Sequence, residues 1–215
     1  MKIAIFIPTY KRPHKLYEVL DNIKINTSGE YEVYFIVEGH DTPSIKQCEA
    51  MNAKYIVNEG APCYADCINT AYKKTTEPVF FTGADDLSFM PGWAENGLAG
   101  FTDGIMVVGT NDLYNCKEKH ATHYLVKRKY IEKMSGVIDC PNTVLYPYQH
   151  NYTDRELIET AISRGVYKYV DESKVKHLHW SFGLSTMDET YRKGFDKATQ
   201  DRLLFEQRQK LWKKS

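Results

Sequence analysis

Four apolar, β-branched runs end in polar residues within the first 86 positions, and helical periodicity fills each gap between them. The runs are Lys2–Ile7, Tyr31–Val37, Lys54–Val57 and Pro78–Ala84, and they stop at Pro8-Thr9-Tyr10, Glu38-Gly39, Asn58-Glu59-Gly60 and Asp85-Asp86. Apolar character that is continuous rather than alternating marks strands buried on both faces. Between the runs, Leu16, Val19, Leu20 and Ile23, a short stretch from Ser44 to Met51, and Ala65, Ile68, Ala71 and Tyr72 fall at helical spacing. Repeated β-then-α units predict a parallel, doubly wound sheet with right-handed crossovers, because the chain must cross a face before starting each new strand. Ligands of such sheets lie beyond the carboxyl ends of the strands. Thr9, Glu38, Asn58 and the Asp85-Asp86 pair are therefore expected to meet in one crevice.

The second half is less regular. Strands are expected at Ile105–Gly109, Tyr124–Val126 and Tyr167–Val170, a helical turn at Lys129–Met134, and helices at Tyr152–Arg164 and Thr199–Trp212. Leu203-Leu204 and Leu211-Trp212 would form the packing stripe of the last helix. With no internal repeat and no low-complexity linker, the chain reads as one domain over residues 1–184, a ligand-binding half (1–100) and a second half (101–184), followed by a helical tail at 185–215. The tail is basic, with eight Lys and Arg against four Asp and Glu from Glu189 to Ser215. Overall, 28 basic residues balance 28 acidic ones, so no net field draws the chain to polyanions or membranes. Five scattered cysteines (Cys48, Cys63, Cys67, Cys116, Cys140) lack zinc or disulfide-scaffold spacing. No apolar stretch approaches the ~20 residues of a membrane span. A reducing, cytoplasmic setting is expected, the host cytoplasm if the chain is virus-encoded.

Asp85 and Asp86 follow a buried strand directly. Like charges this close raise each other's pKa unless a cation lies between them, so the pair points to a divalent metal or a shared proton. A plain Asp turn is the other reading. The first strand is followed by Pro8-Thr9-Tyr10-Lys11-Arg12-Pro13, with no glycine where a dinucleotide fingerprint needs G-x-G-x-x-G, and no P-loop is present. A crevice with acids but no phosphate-cradling glycine loop suits a metal that bridges the phosphates of a nucleoside diphosphate.

Ile5-Phe6-Ile7-Pro8-Thr9-Tyr10-Lys11-Arg12, strand-end Glu38, Asn58-Glu59-Gly60 leading to Ala65–Ala71, Gly83-Ala84-Asp85-Asp86, Pro91-Gly92-Trp93 and Thr153-Asp154-Arg155-Glu156-Leu157 occur in an order that resembles the GT-A glycosyltransferases, specifically family 2, over about residues 1–180. The resemblance implies an α/β, GT-A (Rossmann-like) fold with a mostly parallel central sheet flanked by helices, here carrying a C-terminal helical appendage. It implies metal-dependent transfer of a sugar, with inversion, from a nucleoside-diphosphate donor, UDP-linked, to a hydroxyl acceptor. The cofactor would be Mn2+ or Mg2+. Thr9 and Glu38 match positions that hold the nucleotide base and ribose, and Arg12 lies at the same mouth, able to meet phosphate. Asp85 and Asp86 match the family's D-x-D element, contracted to Ala-Asp-Asp, with Asp86 on the metal and Asp85 toward the donor ribose. Asp154 matches the general base, with Glu156 as the alternative or as capping partner of Thr153. His179, or His177, would add an imidazole ligand, which tilts the choice toward Mn2+.

Two departures from the family pattern stand out. Ala61-Pro62-Cys63-Tyr64 carries no basic residue before the third helix, and Tyr146, Tyr148 and Tyr152 replace an acceptor-side Trp. The acceptor could be a glycan, a protein or a hydroxylated DNA base, the last motivated by the basic tail and the tyrosines. A non-catalytic binder of nucleotide sugars or nucleic acid is a further alternative.

Overall fold

The computed structural model describes residues 1–114 and 119–213. Cys116 and Lys214 lie outside the described residues. The first half runs β1 (Ile3–Pro8), α1 (Pro13–Asn26), β2 (Tyr31–Val37), α2 (Thr42–Ala50), β3 (Tyr55–Val57), α3 (Tyr64–Lys74) and β4 (Val79–Thr82). β5 (Leu87–Phe89), α4 (Trp93–Ala99), β6 (Val107–Asn111), β7 (Tyr124–Lys127), α5 (Arg128–Met134), α6 (Thr153–Ser163), β8 (Tyr167–His177) and α7 (Glu189–Arg208) complete it. Among the described residues the strands form one eight-stranded sheet in the order β3-β2-β1-β4-β7-β6-β8-β5. β1 pairs in parallel with β2 and β4, and β2 with β3. The α/β architecture expected from the sequence is present, and its first half is parallel throughout.

Beyond β4 the sheet is mixed. β7 enters antiparallel between β4 and β6, β8 runs parallel to β6, and β5 closes the edge antiparallel to β8. Apolar runs specify which segments become strands, not the direction in which they pair. β8 is also far longer than the Tyr167–Val170 segment predicted: its register to β6 slips between Thr110 and Asn111, with Thr110 opposite Val170 and Asn111 opposite Lys174. This bulge lets the strand run on past Asp171-Glu172 and pair with β5, setting His177 opposite Leu87.

β1 and β4, the inner strands of the first half, bury both faces, whereas edge strand β3 leaves Tyr55 and Val57 exposed. Ile3, Ile5 and Ile7 pack with Leu16 and Val19 of α1, Cys48 of α2 and Trp93 of α4, while Ala4 and Phe6 pack with Ile68 of α3, Ile131 of α5 and Leu157 of α6. The period-two alternation of β1 thus feeds two helix layers. No helix among the described residues is long and apolar enough to cross a membrane.

The C-terminal segment is more closely joined to the body than the word appendage suggests. α7 starts at Glu189, ten residues before the predicted helix, and ends in a 3-10 turn at Gln209–Leu211. Phe205 and Trp212 are buried in a cluster with Tyr148, whereas Leu203 and Leu211 of the predicted stripe are exposed. Tyr146, Tyr148 and Tyr152 form its bed: Tyr152 stacks on Phe205 at 4.8 Å, and the Arg208 guanidinium lies 3.5 Å from the Tyr146 ring centre.

Candidate active site

A crevice of about 930 Å3 opens at the carboxyl ends of β1, β2 and β4, lined by Thr9, Arg12, Glu38, Asp85, Asp86 and Asp154 among others. Six of the residues singled out from sequence thus share one cavity. Gly83 makes the turn out of β4 possible: its N–H donates to the Phe6 carbonyl at 2.8 Å, and a Cβ there would sit 2.7 Å from that oxygen. Only glycine lets the two chains approach so closely.

The two aspartates that follow are both buried and differently partnered. Asp85 accepts from Thr9 Oγ1 at 2.7 Å and from Arg12 Nη1 at 2.8 Å. Burial pushes its carboxyl above the ordinary value; Arg12 opposes this and Asp86 adds to it. Asp86 Oδ2 accepts from the Tyr191 hydroxyl at 2.6 Å and lies 3.4 Å from His177 Nε2. Burial would raise this carboxyl too, but His177 and Tyr191 hold it far below the usual carboxylate range. The two carboxyls are thus pushed in opposite directions, Asp85 up and Asp86 down, a split that like charges in a shared site favour.

Glu38, just beyond β2, accepts from Asn58 Nδ2 at 2.9 Å and faces the Cys67 thiol at 3.7 Å, both on Oε1. Asn58 is itself fixed, donating also to the Ala61 carbonyl and accepting from Thr70 and the Gly60 N–H. The β3 end therefore positions Glu38.

Of the paired histidines, His177 is the one that meets Asp86, carried there by the β5–β8 pairing and by the Leu178 N–H, which donates to the Asp86 carbonyl at 2.8 Å. His179 lines the same crevice with Nδ1 engaged by Ser181, 2.7 Å from Oγ and 3.3 Å from the backbone N–H. A third imidazole, not singled out from sequence, joins them. His123 at the start of β7 packs edge-on to His177 with ring centres 5.2 Å apart. Its Nδ1 lies 2.7 Å from the Thr82 carbonyl, which can only accept, so Nδ1 carries the proton and Nε2 presents a lone pair. That buried Nε2 has no hydrogen-bond partner, and burial brings the ring's pKa down to about 4, so it is neutral near pH 7.

These donors fit a divalent cation held jointly with a ligand. Asp86 supplies an ionised oxygen, His177 abuts it, and the His123 lone pair lacks a partner. Among the described residues no three His, Cys, Asp or Glu side chains converge as a ready-made cage. A cation here would take its remaining ligands from phosphate and water, as hard divalent ions do in phosphate sites.

The residue 4–162 segment matches the model of glycosyl transferase family 2, well over half of the chain. The chain belongs to that family. It is a glycosyltransferase, and solved structures agree in fold. Glucosyl-3-phosphoglycerate synthase from Mycobacterium tuberculosis, in complex with Mn2+ and uridine-diphosphate-glucose, superposes with a TM-score of 0.66 at 12% identity, over 95% of this chain and 76% of that one. The same synthase with Mn2+, uridine-diphosphate and glucosyl-3-phosphoglycerate gives 0.63 at 13% identity, over 93% and 79%. A mycobacterial protein gives 0.64 at 11% identity, over 88% and 69%. No curated protein sequence matches.

Across the crevice of this transferase, Asp154 sits in the first turn of α6, 3.5 Å from His120 Nε2. Burial would raise its carboxyl, but His120 and the Arg155 N–H bring it below the ordinary value. Glu156 lies elsewhere. It is buried under α7, accepting from Tyr148 at 2.6 Å and from Arg208 at 2.9 Å and 2.7 Å. The cap of α6 is Tyr152 in a left-handed conformation without a side-chain bond, so Glu156 is not the capping-box partner of Thr153.

Five residues at or beside the site escaped the sequence reading: His120, His123, Asp188, Tyr191 and Asp201. Asp188 grips Arg12 with both oxygens, at 2.6 Å from Nε and 2.9 Å from Nη2. Asp201 accepts the backbone N–H groups of Gln149, His150 and Asn151 at 2.8–2.9 Å, which shapes the crevice wall they form. A signal existed for Asp188, a helix-capping residue whose side chain accepts the Tyr191 N–H. His123 had none, since its position follows only from β7 lying beside β4.

Proposed function

We propose that the chain is a metal-dependent, inverting glycosyltransferase that takes a sugar from a UDP-linked donor and places it on a hydroxyl acceptor. The buried Asp85-Asp86 pair, one acid held ionised at the end of β4 and facing Asp154 across a single crevice, carries this reading. Asp86 with His177 would hold Mn2+ or Mg2+, and imidazole beside a carboxylate favours Mn2+. When bound, the ion would neutralise charge that builds on the departing diphosphate.

The chain's own residues supply the rest. Glu38, fixed by Asn58, offers a carboxylate to an imide N–H or a ribose hydroxyl, and Thr9 braces Asp85 toward the same sugar. Arg12 provides positive charge for the diphosphate. Asp154 takes the proton from the acceptor hydroxyl as that oxygen attacks the anomeric carbon. Attack from the face opposite the leaving group gives one displacement and therefore inversion. The low Asp154 carboxyl keeps this base ionised at neutral pH.

A thermal-shift panel of nucleotide sugars with and without Mn2+ tests the donor. A cognate ligand at 100 times its dissociation constant stabilises the folded state by ~2.7 kcal/mol. NMR of the product's anomeric configuration tests inversion. A gel shift on duplex DNA at low salt separates a nucleic-acid acceptor from a small one.

A further inference from the structure

Arg12 and Asp86, the two groups placed to meet phosphate and cation, are both taken by a single helical turn. Arg12 binds Asp85 through Nη1 and both oxygens of Asp188 through Nε and Nη2, and its guanidinium lies 4.4 Å from the Tyr191 ring centre. The Tyr191 hydroxyl donates to Asp86 Oδ2. Asp188 caps the turn by accepting the Tyr191 N–H, so the two contacts are locked to one another. A bidentate carboxylate on a guanidinium has the geometry of a phosphate on that guanidinium. A hydroxyl on Oδ2 occupies the direction from which a cation would bind.

We propose that the first turn of α7 is an internal stand-in for the donor: Asp188 fills the phosphate position on Arg12 and Tyr191 the cation position on Asp86, and a nucleoside diphosphate with its metal displaces the turn. This rests on the donor reading above. The two ends of α7 suit such an exchange. At the far end, Asp201 collects three backbone N–H groups, Arg208 pairs with buried Glu156, and Trp212 donates to Glu159 at 2.9 Å, so that end is an anchor. At the near end the Asp188 side chain is 37% exposed, which screens its pairing with Arg12, and the Lys11–Glu189 contact at 3.4 Å is exposed on both sides. Before the turn, Gly183 adopts φ of 71° and Leu184 and Met187 face solvent. The helix can therefore pivot on its anchored end.

A resident that must leave lowers the apparent affinity of the incomer by the fraction of molecules in which the site is free. The double variant Asp188→Ala/Tyr191→Phe removes the stand-in and keeps Arg12, Asp86 and the anchored end. Calorimetry with UDP in saturating Mn2+ is expected to show binding ~3- to 30-fold tighter than wild type. In hydrogen exchange, wild-type amides around residues 188–192 should exchange faster on adding UDP and Mn2+, while those of 201–212 stay unchanged. Should the double variant fold poorly, Asp188→Ala alone carries the same comparison. Wild type that binds while the variant binds equally or more weakly overturns the stand-in alone, as does a first turn that becomes more protected in the complex. Binding by neither protein overturns the donor reading and the stand-in with it. Binding by the variant but not by wild type supports both.

Discussion

Arg12 and Arg208 are each gripped by two carboxylates and each laid against a tyrosine ring. Arg12 lies between Asp85 and Asp188 over Tyr191, and Arg208 between Glu156 and Asp139 over Tyr146. Charge inventory alone cannot tell these two clusters apart. Both oxygens of the deepest carboxylate are engaged in each, and the clusters differ in what lies beside it. Glu156 has both oxygens engaged, by Arg208 and by Tyr148, and is not part of the crevice wall. Asp85 abuts a second buried acid at the edge of a crevice that also holds an unpartnered imidazole nitrogen. A closed network stabilises, whereas an open one awaits a ligand.

The contrast breaks most sharply at Asp86. Asp86→Ala should cut metal-dependent nucleotide release by at least ~10^3-fold, since it removes charge stabilisation worth several kcal/mol, while the melting temperature holds. Retained metal-dependent turnover would place the metal elsewhere. Asp154→Asn should follow, with kcat down by roughly 10^2- to 10^4-fold and UDP affinity by calorimetry unchanged. Arg208→Ala should behave in the opposite sense. It leaves Glu156 as an unpaired buried charge and should cost about 3–5 kcal/mol of stability in chemical denaturation, with little effect on turnover by the molecules that remain folded. Stability close to wild type would show that water reaches Glu156.

The smallest effect is a pH shift. His120 carries a raised pKa beside Asp154, and it lowers the Asp154 carboxyl beneath its ordinary 3.8. Wild type should therefore show no acid limb from Asp154 in kcat/KM above about pH 4. In His120→Ala the burial of Asp154 goes unopposed, and the limb should move to higher pH. The stability linked to His120 has the opposite sense. It is fully present below the ordinary histidine value of 6.5 and is lost as pH rises through the raised folded value.

The first half of the fold was legible because each element there carries its own signal. Tyr31–Val37 is the observed β2 to the residue, and β1 and β3 are displaced by at most one position from the predicted bounds. The second half depends on partners distant in sequence. β5 is three residues long, too short for a periodicity, and exists because β8 runs past its bulge to meet it. The second half of α7 was expected from Thr199 onward, but its first ten residues were hidden by Gly194 and by a largely polar sequence. The candidate site divides the same way. Thr9, Glu38, Asp85 and Asp86 could be read from strand ends, while His123, Asp188 and Tyr191 arrive through tertiary structure.

Arg12 and Asp188 are 176 positions apart, and Asp86 and Tyr191 are 105 apart. Closing loops of that length is entropically costly and slow, so contacts of this kind form after the local βα units have condensed. During synthesis the acid pair on β4 is complete long before residue 188 leaves the ribosome. For that interval the nascent chain carries Asp85 and Asp86 uncovered, and the corner around Arg12 is among the last parts of the molecule to assemble.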